Sequence, residues 1–290
     1  MPPHIVTTAL PDRDQLGEGP TWRPATGEMI RVDILRGHVH AWRPGAGTST
    51  STAFAGEVSA AVPRRDGGLV IACGHELIAL DEDGAQHVVA TVAAHPDLRF
   101  NDCRCDPQGR LWAGTMSKTR TPDRAALYRM QHGDSITTVI APTTLSNGMG
   151  WSPQGDRMYF IDSTTQRIDV LDFDGRDGTV SGRRTFAEVP LTQGLPDGLT
   201  VDAEGGVWVC LFGGGALHRY SSSGALDDVI ELPTTNPTCP AFGGPDLRTL
   251  FVTTARHRLT DTQLAREPLA GAVLQLAPGV AGAPPNTYHG

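Results

Sequence analysis

The chain has 290 residues, a formal net charge of -8 and a sequence pI near 5.6. This acidic balance, without an arginine-rich run, argues against electrostatic binding of a phosphate backbone, so we expect no nucleic-acid partner. No apolar run approaches the roughly 20 residues that span a bilayer, and the first residues lack the charged and apolar regions of a signal peptide. We therefore expect a cytoplasmic protein that does not associate with membranes.

The cysteines give no sign of a disulfide framework or a zinc site. They are five in number and lack a Cys-x-x-Cys pair, namely Cys73, Cys103, Cys105, Cys210 and Cys239. An odd count without paired spacing is typical of reduced cysteines that pack as small apolar side chains.

The first part of the chain predicts strands. Residues 5–10 form a β-branched run that indicates a single strand, and the alternating runs 28–34 and 37–42 predict an antiparallel hairpin. His38 and His40 share one face of the second run. They could bind a metal, although alternating polar residues on a half-exposed strand give the same pattern.

A Gly- and Pro-rich turn followed by a short apolar strand recurs along the whole chain. Copies begin near residues 16, 63, 106, 146, 195 and 242, about 40 to 50 residues apart, which is typical of a β-propeller. We predict an all-β, six-bladed propeller that forms a single domain over residues 1–290. The N-terminal strand would close the ring by completing the sheet of the C-terminal run 271–276. Residues 259–270 keep no helical stripe and contain Pro268, so we predict an irregular surface excursion there.

Three oxygen-bearing side chains stand at equivalent points of three repeats. They are Glu18, Asn147 and Asp197, and each is followed directly by Gly. Turns at one rim of a propeller converge on its axis, so these side chains can meet and bind a hard cation such as calcium. The alternative is that they are ordinary turn residues, since Asn-Gly and Asp-Gly are common turn dipeptides.

A second group precedes the turn at Asp106. Arg99 and Asn101 flank Phe100 at the rim of another repeat. They would place a cation and an amide beside the same axial ion, unless Arg99 is solvated and Asn101 only caps a turn.

Together these stretches resemble the regucalcin, gluconolactonase and luciferin-regenerating enzyme family. The resemblance extends over essentially the whole chain and is carried by Gly17-Glu18-Gly19-Pro20, Arg99-Phe100-Asn101-Asp102, Ala113-Gly114-Thr115-Met116, Ser146-Asn147-Gly148, Tyr159-Phe160-Ile161-Asp162-Ser163 and Pro196-Asp197-Gly198. The resemblance implies a six-bladed propeller that binds one catalytic divalent cation and hydrolyses a sugar lactone.

The resemblance also implies roles for individual residues. Glu18, Asn147 and Asp197 match the metal-ligand positions, Arg99 and Asn101 match substrate-binding positions, and Asp197 is also the expected base. The chain departs from the pattern after Met116, where relatives often carry acidic residues and this chain has Ser117-Lys118-Thr119-Arg120. Thr119 would occupy the position of a substrate-contacting carboxylate.

The chemistry follows from these parts. A cation on the lactone carbonyl would stabilise the tetrahedral intermediate, while Asp197 accepts a proton from the attacking water. Calcium is the expected ion, with zinc, magnesium and manganese open, and the protein would be a monomer or a weak homo-oligomer. Two alternatives are a metal-dependent esterase or phosphotriesterase and a calcium-binding or scaffold propeller without catalysis.

Overall fold

The computed structural model describes residues 4–92, 94–131 and 136–290. In this part of the chain, 24 strands form six four-stranded antiparallel sheets that are arranged as a six-bladed β-propeller. The predicted fold class is therefore confirmed. Five blades are consecutive in sequence, with the strand orders β2-β3-β4-β5, β6-β7-β8-β9, β10-β11-β12-β13, β14-β15-β16-β17 and β18-β19-β20-β21.

The strands are short segments that lie between turns. Their bounds are β1 (Thr7–Leu10), β2 (Gly17–Arg23), β3 (Glu28–Asp33), β4 (His38–Trp42), β5 (Thr50–Ala53), β6 (Val58–Pro63), β7 (Leu69–Cys73), β8 (Glu76–Leu80), β9 (Gln86–Thr91), β10 (Leu98–Cys105), β11 (Leu111–Ser117), β12 (Ala125–Met130), β13 (Ile136–Thr143), β14 (Ser146–Trp151), β15 (Arg157–Asp162), β16 (Arg167–Asp174), β17 (Thr179–Glu188), β18 (Leu195–Val201), β19 (Val207–Phe212), β20 (Ala216–Tyr220), β21 (Leu226–Glu231), β22 (Pro237–Gly243), β23 (Thr249–Thr254) and β24 (Val273–Leu276).

The sixth blade closes the ring by joining the two ends of the chain. Its order is β1-β24-β23-β22, and β1 runs antiparallel to β24 with Thr7 opposite Gln275 and Thr8 opposite Leu274. The predicted closure is confirmed, and it gives the last blade its fourth strand. The predicted hairpin is also present, since β3 and β4 pair from Met29–Trp42 to Asp33–His38.

Buried aspartates fix two of the repeated turns. Asp106 accepts the indole N–H of Trp112 at 3.0 Å, and Asp202 accepts that of Trp208 at 2.9 Å. Each carboxylate also accepts two backbone N–H groups of its own turn. The same turn chemistry is therefore used in different blades, and the apolar cores lie between neighbouring blades.

The prediction for residues 259–270 was wrong in one respect. The segment is exposed as expected, but it contains a short helix, α1 (Asp261–Arg266). Thr260 and Gln263 form a capping box, in which each side chain accepts the backbone N–H of the other residue. This local capping stabilises one and a half turns without an apolar stripe.

The cysteine prediction is confirmed, since all five are free and only Cys73 is not buried. Across residues 4–92, 94–131 and 136–290, no helix is long and apolar enough to cross a membrane.

Candidate active site at one end of the propeller axis

A cavity of about 90 Å³ lies where the innermost strands of the blades begin. Strands β2, β6, β10, β14, β18 and β22 pack against one another around the axis. Apolar side chains form part of the wall, among them Leu16, Ile34, Leu145, Leu195 and Phe212. Such a wall limits the access of bulk water to the polar groups inside.

Five of the six predicted site residues line this cavity. They come from the first residues of four inner strands, with Glu18 on β2, Arg99 and Asn101 on β10, Asn147 on β14 and Asp197 on β18. The structure therefore brings these five distant residues together, and the roles assigned to them stay predictions.

A break in strand register accompanies four of these five positions. The pairing shifts after Glu18 on β2, across Asn147 on β14, across Asp197 on β18 and across Asn101 on β10. A bulge twists the local backbone and changes the direction of its side chains, and bulges are common beside functional sites. Gly148 permits this geometry, because a Cβ there would lie 2.6 Å from a backbone nitrogen of β18.

Hydrogen bonds fix the amide of Asn147. Its Nδ2 donates to Ser163 Oγ at 2.9 Å, and Ser163 Oγ donates to the carbonyl of Pro196 at 2.6 Å. Its Oδ1 accepts from Asn101 Nδ2 at 2.9 Å. Both asparagines are buried, so the network holds an amide oxygen in the cavity beside the strand that carries Asp197.

Arg99 supports this network and is itself balanced by an acid. Its guanidinium donates to Asn101 Oδ1 and to the carbonyl of Phe100, both at 2.8 Å. Glu57 Oε1 lies 3.9 Å from Arg99 Nε, and Glu57 Oε2 lies 2.6 Å from Lys118 Nζ. Arg99 is 5% exposed, so one edge of the cavity carries the buried positive charge of a guanidinium group whose orientation is fixed by hydrogen bonds.

The axial carboxylates lie in a dry environment. Burial raises the pKa of Glu18 to about 8, and the negative charge of Asp102 acts in the same direction. Burial also raises the pKa of Asp197 well above its ordinary value, with further contributions from Glu18 and Asp102. Both oxygens of the buried Asp102 lack a hydrogen-bond partner. Three acids thus share this region, and the nearest cation to Asp102 is Arg104, whose Nε lies 3.7 Å from Asp102 Oδ1.

This donor set fits a hard divalent cation. Glu18, Asn147 and Asp197 offer two carboxylates and one amide, the oxygen ligands that calcium prefers. A bound cation would favour the charged forms of both carboxylates and offset the cost of burying them. Neither histidine nor cysteine belongs to this set, and the described residues contain no group of three or more His, Cys, Asp or Glu that could hold a metal ion. The alternative metal pair His38 and His40 is therefore not part of such a group, although Asp14 Oδ1 lies 3.7 Å from His40 Nε2.

The structure does not bring Thr119 to the cavity. Thr119 is exposed, and its hydroxyl lies 2.8 Å from that of Thr121. Asp97 fixes the loop by accepting the Thr119 backbone N–H at 2.8 Å and the Ser117 hydroxyl at 2.5 Å. This loop conformation directs Arg120 to the cavity instead, which corrects the placement that we expected for Thr119.

Two aspartates hold the segments that lead to the proposed ligands. Asp33 accepts the backbone N–H groups of Gln15 and Leu16, and Asp162 accepts those of Thr144 and Leu145. Leu16 lies two positions before Glu18, and Leu145 lies two positions before Asn147. A sequence signal existed, since β3 and β15 both end in Asp, but its role became visible only in the structure.

The sequence analysis also missed the basic side chains at the cavity. Arg120, His257 and Arg258 line it together with Arg99. They lie in loops outside the repeated strands, so neither periodicity nor turn chemistry marked them.

Comparison with known proteins places these observations in a family. Residues 16–256 match the model described as SMP-30/Gluconolactonase/LRE-like region. The chain is 34% identical over 290 residues to a regucalcin of Danio rerio, with 98% of each chain covered. It is 34% identical over 250 residues to the pentonolactonase XacC of Haloferax volcanii, with 86% of this chain and 85% of that protein covered. A solved structure named as a calcium-binding protein, regucalcin, from Agrobacterium tumefaciens has a TM-score of 0.94 and 31% identity, with 99% of this chain and 98% of that chain covered.

Proposed function

Because the chain belongs to the SMP-30/gluconolactonase/LRE-like family, we propose that it is a metal-dependent lactonase that hydrolyses a sugar lactone to the corresponding hydroxy acid. The observation that supports this proposal most is the meeting of Glu18, Asn147 and Asp197 in one buried cavity beside Arg99 and Asn101. The names of the relatives, a pentonolactonase and regucalcins, are consistent with it.

The proposed cofactor is one divalent cation, with calcium preferred, held by Glu18, Asn147 and Asp197. When bound, such an ion polarises the lactone carbonyl and stabilises negative charge on its oxygen. Zinc, magnesium and manganese are the other candidates. We further propose a single domain that acts in the cytoplasm as a monomer or weak homo-oligomer.

Asp197 is the proposed base. Its carboxylate takes a proton from water as the water oxygen bonds to the carbonyl carbon of the lactone. The bond from that carbon to the ring oxygen then breaks, and the ring oxygen takes the proton from Asp197 to become a hydroxyl. Arg99 and Asn101 orient the hydroxyls of the sugar, while the apolar wall limits competing water.

Proton release from a panel of compounds tests this function. The panel contains aldonolactones, a simple aryl ester and a phosphotriester, each assayed before and after removal of metal by a chelator. We expect lactone hydrolysis that is lost on chelation and restored by a divalent cation. Activity that survives thorough removal of metal would contradict the mechanism, and preferred cleavage of the ester or phosphotriester would favour the alternative hydrolase.

The non-catalytic alternative is less well supported. A scaffold propeller has no need of buried carboxylates at its axis, and the cavity is lined by polar side chains rather than closed by an apolar one. Calcium binding without turnover of any member of the panel would nevertheless favour this alternative.

A further inference from the structure

Positive charge is concentrated around the axial cavity. Arg99, Arg120, His257 and Arg258 all line it, although they come from three separate stretches of the chain. Arg99 lies near Glu57. Within residues 4–92, 94–131 and 136–290, the guanidinium groups of Arg120 and Arg258 have no hydrogen bond or ion pair. Two arginines therefore face the cavity without a hydrogen bond or an ion pair to an acid.

These basic groups are close enough to influence one another. The pKa of Arg120 is lowered by burial and then by the charge of Arg258, while Asp197 acts in the opposite direction. The pKa of His257 is lowered by burial and by Arg258, Arg99 and Arg120. Like charges gathered in a partly dry cavity repel, and an anion placed between them would relieve this repulsion.

The backbone presents both unpaired arginines in an uncommon conformation. Arg120 has φ 57° and Arg258 has φ 67°, in the left-handed region that residues with a side chain rarely adopt. Distant contacts tie the loops that carry them, since Asp97 accepts the backbone N–H of Thr119 and the carbonyl of Gln15 accepts that of His257 at 2.8 Å. Strained backbone of this kind is concentrated at binding sites.

The acids near the cavity do not balance this pair. Glu57 is engaged by Lys118 at 2.6 Å and lies near Arg99. Glu18 and Asp197 are the proposed ligands, so a bound divalent cation would neutralise them. The charges of Arg120 and Arg258 then remain for a ligand.

We infer that the substrate is a sugar lactone that carries an ionised carboxylate, which Arg120 and Arg258 bind while the ester lies against Asp197. A planar carboxylate matches the fork of a guanidinium group and can accept two parallel hydrogen bonds from it. This inference rests on the proposed lactonase function and narrows its substrate to lactones of acidic sugars.

Matched substrates test the charge directly. The probes are glucono-1,5-lactone, its 6-phosphate and a monolactone of glucaric acid, in which the terminal carbon is a carboxylate. We expect the carboxylate lactone to have the highest kcat/KM. The preference is measured as kcat/KM for the carboxylate lactone divided by kcat/KM for gluconolactone. Each of the variants Arg120→Met and Arg258→Met should reduce this ratio by about 10-fold or more, the scale of a charge-assisted hydrogen bond.

Arg124→Met is the control. Arg124 is exposed and contacts His95 outside the cavity, so its loss should leave the ratio unchanged. A second readout needs no turnover. At a saturating concentration of divalent cation, glucarate should raise the melting temperature more than gluconate at equal ionic strength, and Arg120→Met and Arg258→Met should abolish the difference.

The outcomes separate the two hypotheses. Hydrolysis of gluconolactone in preference to both anionic lactones, with a ratio that the arginine variants do not change, would overturn the inference and leave the lactonase intact. Preference for the 6-phosphate would overturn the carboxylate assignment. Failure to hydrolyse any lactone, together with arginine-dependent stabilisation by glucarate, would refute the lactonase and support the anion site.

Discussion

Replacing Asp162 by Asn should weaken both the fold and the cavity. Asp162 is 5% exposed, and its two oxygens accept the backbone N–H of Thr144 at 2.9 Å and of Leu145 at 3.0 Å. An amide has only one oxygen, so its NH₂ group would face a buried donor. The loss of one hydrogen bond to a charged acceptor predicts a decrease in the free energy of unfolding of about 2 to 3 kcal/mol.

The same change should reach the proposed metal ligand. Leu145 lies two residues before Asn147, and Ser163, which follows Asp162, accepts the Asn147 amide at 2.9 Å. Loosening both supports should lower metal affinity by about 10-fold, a typical effect of residues that orient ligands. Urea denaturation followed by tryptophan fluorescence measures the first effect, and calorimetric titration of the metal-free protein with calcium measures the second.

Asp83→Asn is the matched control. Asp83 is exposed and accepts a single backbone N–H, that of Ala85 at 2.9 Å, so its replacement should change stability by less than about 0.5 kcal/mol. Equal stability of the two variants, with calcium affinity unchanged in Asp162→Asn, would refute the role assigned to the buried carboxylate.

Three further predictions address the ligands, the strand packing and acid sensitivity. Asp197→Asn keeps an oxygen for the ion but should lose about 100-fold or more in turnover at saturating metal. Added metal should instead restore the turnover of Asn147→Ala. If added metal restores turnover in both variants, Asp197 is only a ligand. Gly148→Ala should cost about 1 to 3 kcal/mol in urea unfolding, because its Cβ would lie 2.6 Å from β18, while Gly47→Ala, with no atom within 4 Å, should be nearly neutral. Burial lowers the pKa of His40 from 6.5 to about 4, so its contribution to stability is present above pH 6.5 and is lost as the pH falls towards 4. In unfolding curves measured from pH 7 to 4, His40→Gln should lose less stability than the unmodified protein. An unchanged dependence of stability on pH would contradict this prediction.

Sequence alone was sufficient for the fold and for most of the candidate site. Turn residues and alternating strands are local signals, and their repetition identified the blades and the closing strand. The approximate rotational symmetry of a propeller then turns equivalent sequence positions into neighbours at the axis. Glu18, Asn147 and Asp197 could therefore be grouped although they are far apart in the chain.

Tertiary structure alone decided what surrounds that site. The loop after Met116 presents Arg120 and not Thr119 because Asp97, in the turn before β10, holds its backbone. Arg258 reaches the cavity because the stretch before it bonds to Gln15, at the opposite end of the chain. Both arginines also have left-handed backbone, which residues with a side chain rarely adopt. No pattern along the sequence encodes such contacts, so the concentration of positive charge, unlike the ligand set, became visible only in the folded chain.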